Sequence, residues 1–141
     1  MKNSILLFAA ALSVLFSSGC ATSKLKYTPA EPGRVSSGGE PVSHVVEGMN
    51  SGVYLFYYIP LWTGSPRYPN QHSYDLLRHQ VDDKAIYRMF ETAAMRMRAD
   101  RFDDVTVTHS SVGVWTLWIV WKRSVHGRGV LIRKKRRRGG K

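Results

Sequence analysis

The apolar residues of this chain repeat with two different periods, and that change of period restricts it to a mixed fold. Val53-Tyr54-Leu55-Phe56-Tyr57-Tyr58-Ile59 is aromatic and β-branched, which is strand composition. Both of its faces are apolar, as in a central strand covered on two sides. From Ser73 onward the period lengthens. Ile86, Met89, Phe90, Ala93, Ala94 and Met97 recur every three or four residues, the apolar stripe of an amphipathic helix. Asp82 and Asp83 suit the positive end of that helix dipole, and Arg96 and Arg98 suit its negative end. Asp100 to Asp104 reads as the exit loop. Val105-Thr106-Val107-Thr108 alternates as a strand does. Val112 to Trp121 predicts a further strand with Trp115, Leu117, Ile119 and Trp121 on one face, and Val125 to Ile132 can pair with it through Lys122-Arg123-Ser124. Val42 to Val46 can open the folded part as a short strand. The expected fold class is α+β: a small, mostly antiparallel sheet packed against one main helix.

The formal net charge of +11 is unevenly placed. Eight Lys or Arg and no acid lie between Arg128 and Lys141, leaving 13 bases against 10 acids elsewhere, a balance of only +3. Basicity therefore belongs to the tail, and no broad electropositive surface is expected. Pro29, Pro32, Gly33, Gly38, Gly39 and Pro41 sit among small polar residues between 21 and 43. Such a stretch buries too little apolar surface to offset its ordering entropy and reads as a tether. The segment Leu61 to Gln71, with Gly64, Pro66, Pro69 and Asn70, reads as a loop that begins where Pro60 ends the strand.

Cys20 is the only cysteine, and it directly follows the apolar run Ile5 to Phe16 and the small residues Ser17-Ser18-Gly19. Lys2 supplies a positive n-region. Twelve residues of helix reach about 18 Å, short of a hydrocarbon core of roughly 30 Å. Ser17-Ser18-Gly19-Cys20 resembles the lipobox of bacterial envelope lipoproteins, with Ser17 standing where that family usually has Leu. The resemblance implies a signal peptide over 1–19, lipid attachment at Cys20 and a tether over 20–43. The α+β domain would then occupy 44–132 and a basic disordered tail 133–141. It implies a thioether diacylglycerol and an N-acyl chain such as palmitate. At about 0.8 kcal/mol per CH₂, three chains give a permanent anchor. Ala21, where lipoproteins retained in the inner membrane often carry Asp, points to the outer membrane, facing the periplasm.

Four sets of residues invite a site. His72, Asp75 and His79 are spaced for one face of a continuous helix and carry ligands suited to zinc; a solvated polar face has the same spacing. Trp62, Arg67 and Tyr68 lie on the proline-rich loop, where restricted entropy favours binding, although the aromatics can equally fold back over the sheet. Trp118 stands opposite the other tryptophans of its strand as a candidate stacking surface, against a packing role. Arg133, Lys134, Lys135, Arg136, Arg137 and Arg138 suit an anionic surface such as lipid headgroups or acidic cell-wall polymers, or serve only as a solubilising end. No catalytic set stands out and no cofactor is expected. The sequence thus suggests a non-enzymatic envelope interaction module, whose partners are the membrane through its lipid and an envelope protein or anionic polymer, rather than nucleic acid. A metal- or small-ligand-binding stress protein is the alternative.

Overall fold

The structure is a computed structural model that describes residues 21–113 and 119–133. It is an α+β fold dominated by strands: β1 (Ser23–Pro29), β2 (Val42–Leu55), β3 (Ile59–Gly64), β4 (Tyr74–Leu76), α1 (Asp83–Met97), β5 (Arg101–Gly113) and β6 (Val120–Ile132). The sheet order is β4-β3-β2-β6-β5, and every pairing is antiparallel. The long β2 shares one edge between two partners. Its first half pairs with β1 and its second half with β3, while β6 runs along the whole of its other edge.

The helix follows the expected stripe. Ala85, Ile86, Met89, Phe90 and Ala93 are buried, and Asp82 caps the N-terminus by accepting a 2.9 Å hydrogen bond from the Ala85 amide. Arg98 closes the other end in the left-handed region, its amide reaching Ala94 and Met95 carbonyls. The floor beneath the helix is glycine. A Cβ built at Gly127 would lie 2.2 Å from Ile86 Cγ2, one at Gly129 2.9 Å from Phe90 Cε2, and one at Gly48 3.2 Å from Phe90 Cε1. Bare backbone lets Ile86 and Phe90 settle onto the strands themselves, where Val46, Val125 and Leu131 complete the core.

Several expectations are corrected here. Residues 21–43 are not a tether: Ser23–Pro29 is a strand registered on His44–Asn50, with Ser23 and Leu25 buried. The loop that follows is pinned to the start of β5 by Arg101–Glu40 at 2.6 Å and by Ser37, whose amide and hydroxyl both bond the Asp104 carboxylate. Residues 21–43 are therefore part of the fold, which was expected to open at 44. The two strands expected at 42–46 and from 52 are one continuous strand, because Gly48 and Gly52 serve contact and not a turn. Pro60 does not end that strand. The chain turns at Phe56-Tyr57-Tyr58, and Pro60 lies inside β3 opposite the irregularity at Val53/Tyr54, where a missing N–H is tolerated.

Val112–Trp121 is not one strand either. Gly113 pairs with Trp121 and Val112 with Lys122, so the chain reverses between β5 and β6. Lys122-Arg123-Ser124 is strand, not turn. The expected exit loop is in part the start of β5, with a register shift between Asp103 and Thr106 and Asp104 at φ 51.

Candidate functional site

The helix covers one face of the sheet, and the alternation of each strand sends a second set of side chains to the other. Ser23 and Leu25 point toward the helix, so Lys24 and Lys26 point away. Gly48, Gly127 and Val107 likewise leave Glu47, Met49, His126, Arg128, Thr106 and Thr108 on the open face. The register aligns these into two rungs across four strands. One rung is Lys24, Met49, His126 and Thr108; the next is Lys26, Glu47, Arg128 and Thr106. Together they line a groove of about 620 Å³.

Three basic side chains, Lys24, Lys26 and Arg128, and the acidic Glu47 line this groove. Arg128 Nε lies 3.8 Å from Glu47 Oε1 with both side chains more than half exposed, a pairing that costs little to break. A ligand carboxylate or phosphate can therefore take Arg128 from Glu47, while Met49 and the lysine stems give it apolar contact. An extended acidic chain fits this arrangement: a shallow floor, cations on β1 and β6, and hydroxyls on β5.

A second cluster lies where the chain enters the helix. The Tyr54 hydroxyl and His79 Nδ1 are 2.8 Å apart, Asn50 Nδ2 donates to the Gln80 carbonyl, and Thr63 Oγ1 donates to the Arg78 carbonyl at 3.2 Å. Burial pushes the Tyr54 phenol up to about 12, against a smaller opposing effect of Arg123. Burial, and then the Arg123 charge, lower the His79 imidazole. A protonated phenol donating to a neutral imidazole is the pairing that both shifts favour. The Arg123 guanidinium lies over the Tyr54 and Tyr57 rings, 4.9 and 4.7 Å from their centroids. Three sheet side chains thus clasp residues 78–80 and fix the start of α1.

That clasp accounts for His79, which sequence spacing placed in a metal set. The premise of a continuous helix fails: Asp75 is in the short edge strand β4 paired with Thr63, and His72 is exposed in the preceding loop. Among the described residues, no three His, Cys, Asp or Glu side chains gather as metal ligands. Trp62 is in β3 and not in a loop, while Arg67 and Tyr68 are exposed in the connection to β4. Cys20, Trp115, Trp118 and the run from Lys134 to Arg138 lie outside the described residues; Arg133 is exposed just past β6.

Sequence reasoning missed the groove. Arg128, within the expected strand Val125–Ile132, enters the charge count only with the C-terminal surplus, whereas on β6 it faces the groove. The readable signal was the alternation of Ser23-Lys24-Leu25-Lys26 and of Val125-His126-Gly127-Arg128-Gly129, in which small or apolar residues alternate with basic ones.

No family model, no curated protein and no solved structure matches the chain.

Proposed function

We propose that the chain is a lipoprotein of the bacterial outer membrane, facing the periplasm, that works as a non-enzymatic interaction module. Acyl chains on Cys20 would hold it, and the open face of the sheet would receive an acidic chain. The observation that carries this reading is the pair of cross-strand rungs. They place Lys24, Lys26 and Arg128 on one concave surface that the helix leaves uncovered. The basic tail would add a second, less directional attraction to anionic material.

The test is binding of a fluorescent poly-glutamate peptide to the full chain at low ionic strength. Reversing three groove charges together (Lys24→Glu, Lys26→Glu, Arg128→Glu) is expected to weaken binding at least tenfold, about 1.4 kcal/mol. Deleting residues 134–141 is expected to leave most of the affinity in place. Equal loss in the tail deletion and none in the triple variant would move the binding surface to the tail. Failure of the unaltered protein to bind would remove the acidic partner from the account.

A further inference from the structure

The described residues expose twelve large hydrophobic side chains, and seven of them (Phe56, Tyr58, Ile59, Tyr68, Tyr74, Leu76 and Leu77) fall between positions 56 and 77. Leu76 and Leu77 are exposed by 70% and 73%, and Tyr58 by 77%. Charge is scarce in the same stretch. Residues 56–77 contain Arg67 and Asp75 as their only Lys, Arg, Asp or Glu, whereas residues 78–104 contain twelve. Such a patch at the rim of a small domain marks a contact surface.

The patch is continuous along one side of the sheet. Tyr74 pairs with Gly64 and Leu76 with Trp62, the Leu77 amide bonds the Leu61 carbonyl, and β3 leads back to Ile59 and the turn. The turn itself carries aromatic residues in an unfavourable backbone. Phe56 and Tyr57 have φ of 49° and 72°, where Asn or Gly is the usual choice. Phe56 and Tyr58 nevertheless remain more than half exposed, although the Tyr58 ring meets Tyr57 edge-on.

Ala21, the first described residue, lies next to Tyr74 at one end of this patch. Ala21 is 1% exposed, the Thr22 amide donates to Ser51 Oγ at 2.9 Å, and the Ser51 amide donates to the Thr22 carbonyl at 2.8 Å. Ala21 shares a small depression with Tyr74, His72 and Asn70. A residue bonded to Ala21 has its Cα about 3.8 Å away. A lipid on Cys20 would therefore hold the domain with no spacer, and the surface around Tyr74 would meet the headgroups.

We propose that the exposed apolar side formed by β4 and the β2–β3 turn is a second membrane contact, seated in the interface of the bilayer that holds Cys20. The proposal rests on the anchoring reading given above. Tyrosines and phenylalanine at the headgroup level, with leucines beside them, are the side chains that settle in that interface. The sheet then stands on its β4 side, and the groove over β1, β2, β6 and β5 opens laterally into the periplasm.

The test uses the full chain, acylated and reconstituted into vesicles of phosphatidylethanolamine and phosphatidylglycerol with doxyl-labelled lipid. Single cysteines replace Tyr58, Leu76 or Leu77, with Val35→Cys and Met95→Cys as exposed controls, and each carries an environment-sensitive fluorophore. Quenching at 58, 76 and 77 several-fold above that at 35 and 95 is the expected result. Equal quenching at all five positions, in protein whose intact mass shows an acylated Cys20, would overturn the membrane seat. So would a blue-shifted but unquenched signal at 76, which would mark the β4 side as an interface between two copies of the chain. If Cys20 itself takes the fluorophore and its mass lacks acyl chains, the anchoring reading fails, and that failure is distinct from the other two.

Discussion

Replacing Gly127 with alanine is expected to cost about 3 kcal/mol or more in folding stability, although it adds only one methyl group. The added carbon would lie 2.2 Å from Ile86 Cγ2. Neither partner has room to yield: Ile86 is fully buried, and Gly127 is held between β2 and β5 by pairing with Gly48 and Val107. Overpacking of this kind ordinarily costs about 1–3 kcal/mol, and the contact here is at the severe end. Urea denaturation measures the effect, with Gly38→Ala as control because its nearest neighbour would be 3.8 Å away. The control is expected to stay within about 0.5 kcal/mol. Ile86→Ala in the same chain removes the colliding methyl. The double variant should therefore be more stable than the sum of the two single losses by about 1 kcal/mol or more. A Gly127→Ala protein as stable as Gly38→Ala would mean that the helix does not rest on bare backbone.

Leu25→Asp is expected to cost more than about 4 kcal/mol, a large fraction of the stability of a domain of this size. Leu25 is 4% exposed within the main core, and its backbone is bonded on both sides by Asn70, whose Oδ1 accepts from the Leu25 amide while its Nδ2 donates to the Leu25 carbonyl. A carboxylate there would be desolvated among the apolar side chains of the core. Thr28→Asp, at the exposed end of the same strand, should change stability by about 0.5 kcal/mol at most. The pair, compared by thermal unfolding, separates a strand from a tether, since a tether would tolerate both substitutions equally.

The helix was legible because a single signal governed it. The stripe from Ile86 to Met97 faces the core, and Asp82 sits at the cap. The strands were harder, for physical reasons. Glu47-Gly48-Met49-Asn50-Ser51-Gly52 has turn composition, yet it is the middle of β2, since glycines there admit Phe90 and Thr63. Residues 21–43 are poor in apolar groups. Leu25 suffices to bury that strand because β2 supplies its hydrogen bonds and the helix covers it. The Val112–Trp121 run is apolar on both sides of a chain reversal, and composition does not separate one long strand from the ends of two. Aromatic residues at positive φ, as in Phe56 and Tyr57, carry no turn signature. The candidate site was hidden for a related reason: its basic residues are spread over β1 and β6, and only the register brings them together.

An anchor with no spacer would give the two proposed surfaces separate tasks. The apolar side formed by β4 and the β2–β3 turn would lie on lipid, while Lys24, Lys26 and Arg128, spread across β1 to β6, would remain available to a soluble acidic partner. Both depend on what happens at Cys20. Intact-mass analysis of the mature chain with membrane fractionation, for the unaltered protein and for Cys20→Ala, tests this directly. The account predicts a triacylated Cys20 as first residue, found with the outer membrane, and loss of both in the variant. A chain that retains Met1, carries no acyl group and remains in the soluble fraction would contradict it.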